Sequence, residues 1–385
     1  MKLSGYQTLH PFRWIGLGVF FGLGLLSTSP AQSTLVQSAS VQIRPSFSSS
    51  PIPVQGCQNC FSPLSQQIAQ PYQQAAAYAM RQGGNALLIL EGGEIIVEQY
   101  DNGYTARKPH PLKTATQSFT GILAIAAAQD RLLTLDEPVA KTITEWQSHP
   151  LRSKITIRQL LSLTSGLSSS SAERVSSSAS NLSSNLASDG MPNVVPTYSQ
   201  AIKSPLTTVP GKVFQYGSAP FQVFGELLRR KLAPRNQTPL AYLKRKIFDR
   251  IDLDIGGWEL DADGNPNLAS GASLTARDWA RFGKLLERHG RWNGRKILDK
   301  KLLAECYLGS SANAAYGLGL WINEPGRSPS GKPQNLLAAA PKDTIMAAGT
   351  DDQRLYVMPS RNLVVVRFGR DNRFEDDTFL SLLLQ

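Results

Sequence analysis

Three groups of residues in this chain could carry chemistry. Cys57 and Cys60 form a C-x-x-C pair within GCQNC. Two thiols at that spacing can close a local disulfide, exchange electrons or hold half of a zinc site. A redox role needs a βαβ context that does not surround the pair. Zinc needs more ligands, and only Cys306 and four scattered histidines remain, without ligand spacing. A local disulfide is the simple reading for an exported chain. Cys306 lies in an apolar helical segment and reads as a buried thiol. Neither a metal nor a cofactor is expected. The second group is the basic run Arg229–Lys231, Arg235 and Lys244–Lys246, on two predicted helices. It reads as solvated helix faces rather than a nucleic-acid site, since no zinc finger, ribonucleoprotein motif or Walker loop accompanies it. Retention of an anionic polymer is the competing reading. The third group is a helix start crowded with hydroxyls, Thr114–Thr120, TATQSFT.

That start belongs to Leu112–Asp130, the stretch around which the rest is arranged. From Ala115 its apolar residues recur at helical spacing, and Gly121 permits a close neighbour. Before it, Asn85–Tyr100 is a predicted hairpin turning at Gly92-Gly93. After it come Leu132–Val139, LLTLDEPV, and a short amphipathic helix over Ile155–Leu167, ending at Gly166. Ser168–Ser188 is dominated by serine and reads as a mobile flap or an unstructured surface insertion. Helices are expected over Val209–Leu232 (after its opening loop), Pro239–Leu253 and Leu274–Gly290, the last capped by Thr275. Gly257–Gly271 is turn-rich. Tyr316–Asn323, Thr344–Gly349, Gln353–Met358 and Leu363–Phe368 read as strands, and Phe374–Gln385 as a closing helix. Strands at both ends around a helical middle give an α+β plan, in which the two ends build one antiparallel sheet.

Several of these segments resemble the serine β-lactamase, penicillin-binding-protein and esterase superfamily, in its class C-related, esterase-like branch. TATQSFT resembles that superfamily's Ser-x-x-Lys helix start. ITIRQLLSLTSGL, PGKVFQYGS and TARDWARFG each resemble a further segment, in the same order. The continuation DDQRLYVMPSRNLVVVRFG resembles the esterase-like branch. The resemblance covers about Ser62–Gln385 and implies a β-lactamase/transpeptidase-like α+β fold.

The resemblance also assigns roles. Thr114 takes the nucleophile position, Gln117 the lysine position and Tyr216 the tyrosine, although a phenol at a loop–helix junction can equally just pack and cap. Ser218 stands where asparagine is common. On the strand ending at Gly349, Ala347 takes the basic position. The amides of Thr114 and Thr350 fall where that superfamily makes its oxyanion hole; Arg354, from the residues themselves, is the nearby cation that would have to offset Asp351 and Asp352 for a ligand carboxylate to bind. Acyl transfer needs an attacking hydroxyl, a base and oxyanion donors. Gln117 cannot titrate, and the extra methyl of Thr114 crowds attack. With the Ser, Lys and strand cation all replaced, the expected function is a cleft that binds a small ester, amide or cell-wall-like ligand after losing hydrolysis. The alternative is a weak esterase or amidase that uses Thr114 with Tyr216 as base. Asp351 and Asp352 beside Ala347 argue against a penicillinase.

The first 31 residues read as an export signal. Lys2 and Arg13 precede and open the apolar run Trp14–Leu26, and Ser29-Pro30-Ala31 supplies a small-residue cleavage site. An uncleaved anchor is the alternative; either way the folded part would be periplasmic or extracellular, touching a membrane only through this segment. Loss of those two cations would lower the net charge from +11 to +9. Residues 32–61, rich in Ser, Gln and Pro, read as a flexible tether ahead of a single domain over 62–385.

Overall fold

The computed structural model describes residues 69–168, 197–330, 333–334 and 337–385. The expected signal segment, the tether with Cys57 and Cys60, and all of the serine-rich insertion except Ser168 lie outside the described residues.

The main sheet has six antiparallel strands. We number them β1 (Gly84–Glu91), β2 (Glu94–Tyr100), β3 (Trp321–Ile322), β4 (Ile345–Gly349), β5 (Gln353–Met358) and β6 (Leu363–Gly369), and their order is β2-β1-β6-β5-β4-β3. The two ends of the domain therefore meet at the β1–β6 pair, where Leu88 faces Val366 and Leu90 faces Val364. Gly92 and Gly93 join β1 to β2 with φ of +60° and +101°, the left-handed backbone that a two-residue hairpin turn requires. The central strands are buried along nearly their whole length, whereas the edge strand β2 is mostly half-exposed.

The principal helices are α1 (Gln70–Arg81), α2 (Gln117–Gln129), α3 (Ile157–Leu161), α4 (Ala219–Leu232), α5 (Ala276–Glu287) and α6 (Asp376–Leu383). Pro71 occupies the first turn of helix α1, the position where a missing N–H costs nothing. Helices α1 and α6 pack together beside the sheet. Helix α5 begins at its expected cap, with the Thr275 side chain accepting from the Asp278 N–H. No helix among the described residues is long and apolar enough to cross a membrane.

Helix α2 is the centre of the helical layer. Every residue from Gln117 to Ala127 is buried, as expected for a helix that is apolar on all sides. Gly121 is where the neighbour comes close: a Cβ there would lie 1.9 Å from the Leu318 carbonyl oxygen. Tyr242 and Lys246 fix the far end of α2. The tyrosine hydroxyl donates to the Ala126 carbonyl at 3.0 Å and to Asp130 at 2.8 Å, and the ammonium meets Asp130 at 2.6 Å.

Candidate active-site cleft

The hydroxyl-rich turn forms one 3₁₀ turn, Lys113–Thr116, that runs directly into α2. Its hydroxyls divide sharply. Thr116 Oγ1 donates to the Lys113 carbonyl at 2.7 Å and accepts from the Ala272 N–H at 3.2 Å. Ser118 Oγ donates to the Ala115 carbonyl and Thr120 Oγ1 to the Leu268 carbonyl, each at 2.7 Å. All three side chains are buried and tie the turn to its own helix and to the 268–272 segment. Thr114 differs: it is half-exposed, and its Oγ1 makes only a long 3.4 Å contact to the Ala348 carbonyl. It is the hydroxyl of the four that is left for a ligand. Entry to the turn is strained, since Lys113 holds a φ of +53°, which costs a non-glycine residue about 1 kcal/mol or more.

The end of β4 is pressed against this turn. A Cβ at Gly349 would lie 2.2 Å from the Leu112 carbonyl oxygen, so only glycine lets the strand and the turn meet. Ala347 is buried within β4 and paired with Leu355. Thr350 follows, exposed, ahead of Asp351 and Asp352, which both take left-handed backbone.

Gln117, one helical turn from Thr114, is buried, and its amide oxygen is engaged. Its Oε1 accepts from the Tyr316 hydroxyl at 2.7 Å. Burial, and then the proximity of Tyr216, pushes the Tyr316 phenol far above its usual range. The proton therefore stays on Tyr316 and is donated to the amide. Neither partner can act as a base at neutral pH: an amide does not titrate, and this phenol keeps its proton.

Tyr216 comes to the same place through an aromatic cluster. Its ring stacks on Trp321 at 5.9 Å and meets Tyr316 edge-on at 6.2 Å, with Phe214 packed against all three. The segment after α3 sets the loop that carries it. Thr156 and Gln159 form a reciprocal capping box that starts α3. The helix stops at Leu161, well before Gly166, because Leu163 turns to a φ of +58°. The carbonyls thereby released receive the tyrosine loop: Gly211 N–H donates to Thr164 at 2.7 Å, and Gln215 N–H to Leu163 at 2.9 Å. Ser218, two residues beyond Tyr216, occupies the cap position of α4 without a side-chain capping bond.

One expected site residue lies elsewhere. Arg354 is not available to a ligand carboxylate. Its guanidinium is clamped between Asp376 of α6, 2.8 Å away, and Asp352, 3.3 Å away, and it donates to the Gly349 carbonyl at 3.2 Å. Strand alternation places Arg354 and Tyr356 on one face of β5, and both bond Asp376. Sequence reasoning also missed Tyr316. Its only local signal is an aromatic residue in an apolar stretch, and its partner Gln117 is 199 positions away.

The basic run is largely committed within the fold. Arg229 and Arg230 share Glu226, Arg230 also holds Glu145, and Lys231 meets Glu137 at 2.8 Å. Lys244 pairs with Asp249 and Lys246 with Asp130. Cys306 is a free thiol, fully buried, and burial pushes its pKa upward.

Comparison with known proteins agrees with this arrangement. The Beta-lactamase family model matches residues 68–380, and the chain belongs to that family. Its fold is of the β-lactamase/transpeptidase type, and its structural neighbours include proteins described as hydrolases. Among solved structures, it is similar to a putative 6-aminohexanoate-dimer hydrolase from Bacillus anthracis, with 19% identity, a TM-score of 0.63 and coverage of 79% of this chain and 78% of that one. EstCE1, a hydrolase with promiscuous acyltransferase activity, gives 18% identity, a TM-score of 0.61 and coverage of 84% and 98%. A D-stereospecific amidohydrolase from Streptomyces sp. gives 16% identity, a TM-score of 0.56 and coverage of 80% and 96%. These likenesses show the fold. A comparison with curated protein sequences gives no match.

Proposed function

We propose that this chain is an exported member of the Beta-lactamase family that has given up hydrolysis and keeps its cleft for binding. The observation that carries this reading is the Gln117–Tyr316 hydrogen bond. The position one turn after the hydroxyl is filled by a group that cannot take a proton, and that group is held in place by a phenol that cannot release one. Loss of a general base typically costs about 10²–10⁴-fold, and the threonine methyl adds steric hindrance to attack. The ligand would be a small ester, amide or cell-wall-like molecule. Support for that class comes from the described neighbours of the fold, which include an amidohydrolase and a penicillin-binding protein homologue. The internal pairing of the basic run supports a small-molecule cleft over an anionic polymer partner. Export rests on the charged and apolar pattern of residues 1–31.

Hydrolysis of an aryl ester series tests the reading. Wild type should match the Thr114→Ala variant and the uncatalysed background, and a Thr114→Ser/Gln117→Lys variant should gain turnover. Wild-type hydrolysis abolished by Thr114→Ala or by Tyr216→Phe would overturn it.

A second reading has its own support. Thr114 is half-exposed, and Tyr216 remains beside the Gln117–Tyr316 pair. A weak esterase or amidase could use the threonine hydroxyl with the tyrosine as base. Tyr216 would then have to ionise well below the usual phenol value near 10. This reading requires an acyl adduct on Thr114.

A further inference from the structure

Charge is distributed unevenly along this chain. Residues 284–301 hold seven Lys or Arg against Glu287 and Asp299, a net +5 of the chain's +11. Both acids are already taken: Glu287 pairs with Arg288 and Asp299 with Lys296, each at 2.8 Å. Lys284, Arg291 and Arg295 have no carboxylate partner among the described residues. The two arginines are exposed and Lys284 is half-exposed.

The fold gathers these three cations at the tip of the β1–β2 hairpin. Lys284 lies near the end of α5, and a Cβ at Gly93 would sit 3.0 Å from its Nζ. The same ammonium lies 5.7 Å from the centre of the Trp292 ring. Trp292 belongs to a short hairpin over 291–296, in which it pairs with Arg295, and Arg291 pairs with Lys296. Side chains directly opposite each other share a face, so Arg295 stands beside the tryptophan that Lys284 covers. Arg291 leaves the same hairpin on its other face.

The tip presents an apolar residue on the same side. Glu98 of β2 meets Arg277 of α5 at 2.7 Å and lies opposite Leu88, so Leu88 faces α5. Leu90, two residues on, does the same, and its partner across the hairpin is Ile95. Ile95 is 45% exposed. The acids of the tip, Glu91 and Glu94, oppose each other one position nearer the turn. Alternation turns them to the other face of the sheet, where Glu91 meets Tyr72 of α1. The α5 side of the tip is therefore an exposed isoleucine among cations that lack carboxylates.

Cations alone would suit any polyanion. A phosphate polymer would use the ammonium and guanidinium groups and leave Ile95 in water. A lipid surface uses both, because an apolar residue flanked by cations matches the boundary between anionic headgroups and acyl chains. We propose that this tip, with Lys284, Arg291, Arg295 and Ile95, docks the folded domain on an anionic phospholipid surface, in addition to the contact expected of residues 1–31. The docking is independent of what the cleft binds.

Vesicle co-sedimentation of the full chain tests it. Vesicles of phosphatidylcholine alone are compared with vesicles of equal parts phosphatidylcholine and phosphatidylglycerol. The ratio of the two affinities cancels any apolar contact of residues 1–31, which is common to both. Each Lys or Arg near an anionic surface strengthens binding about fivefold, so three should give a preference on the order of 10²-fold. About 1 M salt should screen it away. Lys284→Gln/Arg291→Gln/Arg295→Gln should erase that factor. Lys141→Gln/Lys154→Gln/Lys203→Gln, which removes the same charge from exposed positions outside the patch, should leave it nearly unchanged. Ile95→Ser should weaken binding to the anionic vesicles at least about fourfold, the worth of one methylene-sized group leaving water. The proposal is overturned if wild type binds the two vesicles alike, if the preference survives the patch substitutions, or if the control substitutions lower it as much. It is overturned too if Ile95→Ser leaves vesicle affinity unchanged, which would make the patch a polyanion surface rather than a lipid one.

Discussion

Removing one oxygen from Tyr316 should be expensive. Tyr316→Phe deletes the donor to Gln117 Oε1 and leaves that amide oxygen buried, since both side chains are almost wholly inaccessible. An unsatisfied buried acceptor costs about 1–3 kcal/mol. With a urea m-value of about 3 kcal/mol/M for a large domain, the midpoint should fall by about 0.3–1 M. Gln117→Met should show a similar loss, because it strands the Tyr316 hydroxyl instead. The double variant replaces both partners by apolar groups and should cost less than the sum, with a coupling of about 1 kcal/mol or more. Equilibrium urea unfolding of the four proteins at pH 7 measures the cycle. A neutral or stabilising Tyr316→Phe, or a coupling near zero, would refute the reasoning. It would mean that the amide is not held by the phenol and is free to face the cleft.

Other consequences are as direct. Gly121→Ala and Gly349→Ala place a methyl about 2 Å from the carbonyls of Leu318 and Leu112, so each should destabilise by about 3 kcal/mol or more, read as lost soluble yield or a lowered urea midpoint. Arg354→Met should cost about 3–5 kcal/mol by stranding Asp376 and Asp352; a variant of normal stability but altered ligand binding would return Arg354 to the site. His110 gives a pH signature. Burial, partly offset by its bond to the Pro111 carbonyl, depresses its pKa below 6.5, and the neutral ring stacks on Phe368 beside Asn85. A depressed folded pKa means that its contribution is fully present above about pH 6.5 and is lost as the pH falls from there through the folded value. The urea midpoint of wild type should therefore drop between pH 7 and 5 more than that of His110→Gln, and equal slopes would exclude the role.

Local pattern revealed those parts of the molecule that local physics decides. Gly92-Gly93 marked the hairpin because both residues need positive φ, and Thr275 marked the start of α5 because its hydroxyl caps the first turn. Gly121 announced a close neighbour, although not that the neighbour would be Leu318. Boundaries failed where tertiary bonds overrode periodicity. The pattern of Ile155–Leu167 is amphipathic throughout, yet the carbonyls of Leu163 and Thr164 serve the tyrosine loop instead of a helix. Arg354 looked free because Asp376, which neutralises it, is 22 residues away on α6. Tyr316 was invisible for the same reason, since nothing near it in sequence foretells a bond to Gln117. Thr114, by contrast, was legible as a position but not as the exposed member of four hydroxyls, which required the partners of Thr116, Ser118 and Thr120.

The most direct test of a cleft without its chemistry is intact-mass spectrometry after incubation with a fluorophosphonate, wild type beside Thr114→Ser/Gln117→Lys. A lysine in the Gln117 seat would be desolvated, which lowers its pKa toward that of a working base. Wild type should keep its unmodified mass while the double variant gains one phosphonyl adduct. A stoichiometric adduct on wild-type Thr114 would contradict the proposal and make the natural protein an enzyme with an unusual base.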